Sequence, residues 1–166
     1  MLRIRPYRAA DAAQVASWVR SEEAMHKWSA DCYDHFPISG EDINAMYASC
    51  DADFFFLTAF DESGVAGHLA MRFMNPEKSE VRLCFVIVDS ARRGSGCGKE
   101  MVQLAVRFAF DIVKVQRVSL AVFENNEPAY HCYRAAGFRV LEDERVSYNI
   151  KGEDWACRIM AMDRED

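Results

Sequence analysis

The chain has 166 residues, 51% hydrophobic and 28% charged, and carries a formal net charge of -6. This length suits one domain with a real core, and the acidic balance, with no lysine or arginine run to offset it, argues against the phosphate attraction that drives nucleic-acid binding. No apolar stretch reaches the roughly 18 to 20 residues of a membrane helix, and the opening MLRIRPYR lacks the apolar centre of a secretory signal, so the expected location is cytoplasmic, with no membrane and no nucleic-acid partner.

Leu2, Ile4 and Pro6 alternate with Arg3, Arg5 and Tyr7, which suits a short strand with one covered face. Asp11 stands where a helix N-cap belongs, ahead of Val15, Trp18 and Val19 at helical spacing, and Glu22 to Trp28 continues as a second helical turn or short helix. A polar and aromatic loop runs to Pro37. Ser39 and Asp42 have the spacing of a capping box and open a helix carrying Ile43, Met46 and Tyr47. At Asp53 the period changes. DFFFLTAF, the turn DESG and AGHLAMRFM give an antiparallel hairpin over 53–74, and NPEKS turns the chain into a nearly unbroken apolar strand, Val81 to Val88.

A basic, glycine-rich turn follows, Arg92 to Gly98. Met101, Leu104, Ala105, Phe108 and Ile112 then fall on one helical face, a stripe wide enough to require packing on a sheet. Val118, Leu120 and Val122 alternate as a strand, Asn126 and Pro128 open another helix, and Gly137 is placed to end it. Phe138 to Tyr148 and Asp154 to Met162 form a closing hairpin around NIKGED. Without repeats, low-complexity segments or linkers, residues 1–166 read as one domain. The six cysteines form no CxxC pair and the four histidines are scattered, so reduced core thiols are expected and a metal site is not.

A buried strand feeding a glycine-rich turn and a helix N-terminus is a recurrent phosphate cradle, because free backbone N–H groups and the positive end of the helix dipole converge there. Counting excludes two common versions. The P-loop pattern fails because Arg93 stands where its first glycine belongs and Glu100 follows Gly98-Lys99; Gly94, Gly96 and Gly98 are spaced GxGxG, which also misses the dinucleotide fingerprint. What remains, Arg93-x-x-Gly96-x-Gly98 after an apolar strand, resembles the acyl-coenzyme A signature of the GCN5-related N-acetyltransferase (GNAT) family. A second family block, Asn-x-x-Ala-x-x-x-Tyr ending in Gly-Phe, is matched by Asn126, Ala129, Tyr133, Gly137 and Phe138.

The resemblance implies an α/β (α+β) fold: a mixed, mostly antiparallel sheet of about six to seven strands, two central strands splayed, flanked by about four helices. It also implies acetyl-CoA as co-substrate, without a metal. Arg93, Gly94, Ser95, Gly96, Cys97, Gly98 and Lys99 would hold the pyrophosphate, the backbone of Val86, Ile87 and Val88 the pantetheine arm, and Asn126 and Tyr133 would contact the same ligand. Tyr133, rather than Tyr130 one turn earlier, has the family position of the acid that protonates the departing thiolate. Glu80, thirteen residues before Arg93, matches the glutamate of one family branch as general base, with a solvated strand-end charge as the alternative reading; Ala121 stands where another branch has its glutamate. An acyl-cysteine route through Cys84 or Cys97 lacks a histidine placed to activate either, and core packing is the expected role of both.

The acceptor is expected to be a small-molecule or peptide amine. Glu23, His26, Trp28 and Tyr33, with their acidic and aromatic neighbours over residues 22–36, are the candidate substrate contacts, through charge and cation–π attraction. Transfer of a longer acyl group, transfer to a hydroxyl, and a non-catalytic acyl-CoA-binding regulatory module are the competing readings; a homodimer is an admissible assembly.

Overall fold

The computed structural model describes residues 1–166. Apolar runs, some alternating and some nearly unbroken, build seven strands: β1 (Arg3–Pro6), β2 (Phe54–Asp61), β3 (Gly64–Phe73), β4 (Glu80–Val88), β5 (Arg117–Phe123), β6 (Arg139–Ile150) and β7 (Glu153–Asp163). Five α-helices accompany them: α1 (Ala12–Trp18), α2 (Glu22–Ser29), α3 (Gly40–Ser49), α4 (Cys97–Phe108) and α5 (Glu127–Ala136). The strands form one sheet in the order β1-β2-β3-β4-β5-β7-β6, antiparallel at every step except β4 with β5. The mixed sheet is therefore as expected. The fifth helix arises because the chain breaks between α1 and α2, where Ser21 caps α2 by accepting from the Ala24 N–H at 3.0 Å.

Helices α4 and α5 cover one face of the sheet and α1 to α3 the other, each over its own apolar core. Along β4, Val81 and Leu83 enter the α4 side while Arg82 and Cys84 point to the opposite face. The local signals for α3 and α5 hold as read. Ser39 Oγ accepts from the Asp42 N–H and Asp42 Oδ2 from the Ser39 N–H, at 3.2 and 2.8 Å. Asn126 caps α5, and Gly137, at φ +113°, ends it in the left-handed region.

Two expectations are corrected. Asp11 does not cap α1. It closes a 3-10 turn and is buried, 6% exposed, with both carboxylate oxygens 2.8 Å from Arg5 nitrogens and further hydrogen bonds from Thr58 Oγ1 and the Arg8 N–H at 2.8 and 3.0 Å. An ion pair to Arg5 on β1 and a long-range hydrogen bond from Thr58 on β2 have displaced the local cap. Ile112 is 68% exposed rather than part of the α4 stripe. After Phe108 the helix widens into a π-type turn, Ala109–Val113, which carries Ile112 off the face that Met101 and Ala105 occupy.

The Asp11 contact has a measurable consequence. Burial alone would raise its pKa, but Arg5, the Arg8 N–H and Thr58 outweigh burial and hold it at about 2. Since the folded value lies below the unfolded one, its contribution is full above about pH 4 and drains away as the pH falls toward 2. Asp11→Asn is expected to cost about 3 kcal/mol at neutral pH, because it leaves Arg5 without its charge partner, and to flatten the acid limb of stability. Urea unfolding from pH 7 to 3 checks both; an unchanged acid limb would show that Asp11 is not the group that titrates.

Candidate active site

The parallel pairing of β4 with β5 is short. It runs from Glu80 opposite Arg117 to Leu83 opposite Leu120 and stops, although β4 continues to Val88 and β5 to Phe123. The cause is visible on the other side of β4. Between Ala70–Cys84 and His68–Ile87 the β3–β4 register slips, so that Phe85 and Val86 together face Leu69, and Phe85 takes φ +51°. Such a bulge bends its strand and increases the local twist, and here β4 bends away from β5. A cavity of about 870 Å³ opens between them, with mostly apolar walls.

One end of the cavity is the glycine turn. Gly94 and Gly96 stand at φ +79° and +85°, a region that costs an L side chain roughly 1–2 kcal/mol, and a Cβ at either would meet open space. Gly96 is the N-cap of α4, whose first helical bond within the turn is from the Glu100 N–H to the Gly96 carbonyl. The N–H groups of Cys97, Gly98 and Lys99 have no acceptor in the protein and are available to an anion, at the positive end of a twelve-residue helix. Arg93, Gly94, Gly96 and Gly98 are all in the wall, joined by Arg92, which Asp61 holds through both guanidinium nitrogens. The side chains of Ser95, Cys97 and Lys99 are not brought to the wall; Cys97 and Lys99 offer backbone N–H groups, whereas the N–H and hydroxyl of Ser95 both donate to the Arg92 carbonyl.

In the middle, Val86, Ile87 and Val88 present the edge of β4 that β5 no longer pairs, and Asn126 faces them. Asn126 spends its carbonyl oxygen on the Ala129 N–H at 3.4 Å, which leaves its amide nitrogen without a partner in the protein. Tyr133, buried on α5, reaches the same space, its hydroxyl bonded to no protein group. Burial pushes its pKa above the ordinary tyrosine range, so the hydroxyl stays protonated at neutral pH. Tyr130 lies outside this cavity, under the Arg158 guanidinium at 4.8 Å. Cys84 is in the wall, but burial raises its thiol to about 11, and the thiolate needed for an acyl-cysteine is disfavoured.

The acceptor end differs from expectation. Of Glu23, His26, Trp28 and Tyr33, only Trp28 reaches the cavity. Glu23 is turned to solvent beside Lys27 at 3.0 Å; His26 is buried against Trp155 with Nδ1 2.8 Å from the Ala30 carbonyl; Tyr33 is buried, its ring stacked on Trp28. Helical spacing put His26 and Trp28 on different sides of α2, and the sheet beneath decided which side was core. Glu80 is also absent from the wall. Its Oε1 accepts from Ser119 Oγ at 2.6 Å and lies 3.9 Å from Arg82, so this carboxylate is engaged behind the cavity rather than facing an acceptor. The wall instead contains Arg72 and Arg82, which sequence reasoning passed over, and one carboxylate, Asp31. The available signal was a charge at a mid-strand position, in MRF and in VRL.

A strand bulge that opens a gap beside a glycine-capped helix, with the Tyr133 hydroxyl reaching into it, agrees with the family comparison. The model of the acetyltransferase (GNAT) family matches residues 22–138, more than half of the chain. The chain belongs to the GNAT family. The L-amino acid N-acetyltransferase AaaT of Escherichia coli K12 is 28% identical over 85 residues, covering 51% of this chain and 52% of that protein. The spermine/spermidine N(1)-acetyltransferase of Bacillus subtilis 168 is 33% identical over 52 residues, 31% of this chain and 34% of that protein. The matched segments thus span about half and about a third of these relatives. In fold, the spermidine N-acetyltransferase of Vibrio cholerae, solved with CoA and spermine, superimposes with a TM-score of 0.78 at 17% identity, over 97% of this chain and 94% of that one.

Proposed function

We propose that this protein is an N-acetyltransferase that moves an acetyl group from acetyl-CoA to a primary amine of a small molecule. The observation that carries the reading is the single continuous cavity in which an N–H cradle, an unpaired strand edge and the free Tyr133 hydroxyl follow one another. The residues present fit the donor: backbone N–H groups at Cys97 to Lys99 with Arg93 for the pyrophosphate, the Val86–Val88 edge and the Asn126 amide for the pantetheine arm.

In this reading the neutral amine attacks the thioester carbonyl directly. The new C–N bond forms, the C–S bond breaks, and the departing sulfur takes the proton of Tyr133, which is restored from solvent. The amine's proton passes to Asp31, the one carboxylate in the wall, or to water at the mouth. Glu80 acts at one remove, by orienting Arg82 together with Ser119. The relatives support an amine as acceptor, since their names specify amino acids and spermine or spermidine.

Free thiol released from acetyl-CoA in the presence of an amine panel tests the proposal. Turnover is expected with at least one small amine. Glu80→Gln should raise KM with a smaller change in kcat, and its rate should keep the parent's dependence on pH; loss of an ionisation from the pH profile would instead identify Glu80 as the base. Coenzyme binding without turnover on any amine would favour the regulatory module, a reading that the absence of Glu80 from the wall keeps in view.

A further inference from the structure

The acceptor end of the cavity contains a feature that neither the coenzyme nor acetyl transfer requires. Phe54, Arg72, Arg82 and Ser119 stand directly opposite one another on β2, β3, β4 and β5, forming one row across the sheet on the face that α1 to α3 cover. Directly opposed side chains have Cβ atoms about 5 Å apart, and like charges placed so destabilise the sheet unless something compensates them. Compensation here is partial. Arg82 Nε donates to Ser119 Oγ at 3.2 Å and one of its terminal nitrogens lies 3.9 Å from Glu80. Arg72 has no carboxylate within ion-pair distance and no hydrogen bond; its guanidinium lies over the Phe54 ring, 5.1 Å from the centroid. Stacking on the aromatic face orients the guanidinium and leaves its N–H fork free.

Both arginines line the cavity. In a chain with 26 acidic and 20 basic residues, the wall reverses that balance, with Asp31 as its only carboxylate. Lys27 is matched by Glu23 and Arg92 by Asp61, and Arg93 belongs to the glycine turn. The charge left for an acceptor is the Arg72–Arg82 pair. Its row lies two residues before Cys84 and Ala121, where the strands part, about 7 Å at the strand rise.

We infer that Arg72 and Arg82 form an anion clamp, and that the acceptor is an amine carrying a compact anionic group a few bonds from its nitrogen, of which an α-amino acid is the simplest case. Two guanidinium forks suit a carboxylate, which accepts two parallel hydrogen bonds from each. Long guanidinium arms that start about 7 Å from the strand gap can meet a carboxylate held a few bonds from the reacting nitrogen. A polyamine, which carries several positive charges and no anion, meets repulsion at the same place. The inference rests on the amine acetyltransferase reading and adds the chemical class of the amine.

The test compares the proteinogenic L-amino acids with their α-carboxamides and with spermidine, by thiol release from acetyl-CoA with the full chain. The best amino acid is expected to exceed its own carboxamide by about 100-fold in kcat/KM, the size of two charge-assisted hydrogen bonds. Arg82→Gln should shrink that ratio to below about tenfold while calorimetric affinity for acetyl-CoA stays unchanged, and Arg82→Lys should restore part of it. Spermidine or the carboxamides turning over as well as the amino acids overturns the clamp, as does an Arg82→Gln loss equal for acid and amide. If no amine turns over, the enzymatic reading fails on its own. Thermal unfolding of the CoA-saturated protein then decides the clamp: stabilisation by an N-acetyl-L-amino acid and not by its amide supports it, and no difference between them refutes it.

Discussion

Gly96→Glu is expected to weaken acetyl-CoA binding by at least about 100-fold in calorimetry, through charge and backbone geometry together. Gly96 is the N-cap of α4 at φ +85°, and the unpartnered N–H groups of Cys97, Gly98 and Lys99 follow it. A side chain at that φ costs roughly 1–2 kcal/mol and pulls the cap out of the geometry that aims those groups. The added carboxylate then repels the pyrophosphate in the one place where the helix dipole would attract it. Because a Cβ at 96 meets no atom within 4 Å, the variant has room to fold, which far-UV circular dichroism would verify. Gly96→Ala keeps the backbone strain without the charge and should lose much less affinity. A Gly96→Glu dissociation constant within about threefold of the parent would remove the pyrophosphate from this turn.

Tyr133→Phe is expected to lower kcat by about 100- to 1,000-fold with little change in coenzyme affinity. The substitution deletes one oxygen and keeps the ring that packs edge-on to Phe138 at 6.2 Å. The hydroxyl makes no hydrogen bond to the protein, so stability should move by less than about 1 kcal/mol, and a loss of rate cannot be blamed on unfolding. With its pKa pushed up by burial, Tyr133 remains a proton donor across the neutral range, and its ionisation should not impose an alkaline fall in kcat below the ordinary tyrosine value of about 10. An unaltered kcat would mean that water protonates the thiolate and that Tyr133 is a packing residue.

The local signals read well where one residue answers to its immediate neighbours. The Ser39–Asp42 capping box, the Asn126 cap, the Gly137 stop and the β2–β3 hairpin depend on backbone groups within about four residues, and all appear in the structure. The two motif blocks proved to be two walls of one cavity. Asp11 and Ile112 misled for complementary reasons. Asp11 has an equally good local role, but Arg5 and Thr58 on neighbouring strands offer a buried carboxylate more than a helix end does. Ile112 obeys a 3.6-residue period that the chain abandons at Ala109.

Period and local signals were enough for the order of the elements and the glycine turn, while the class of fold and the preference for Tyr133 over Tyr130 came with the family resemblance that the two motif blocks carry. All of these are relations along the chain. Three matters waited for the tertiary structure. The insertion of β7 between β5 and β6 is a pairing between distant strands that no hairpin signal encodes. The gap between β4 and β5 depends on a register slip against β3. The placement of charge around the acceptor, with Glu80 behind Ser119 and Arg72 opposite Arg82, depends on cross-strand neighbours ten or more residues apart. Spacing along one strand tells which face a side chain takes; which charge stands opposite it is decided only when the sheet closes its register.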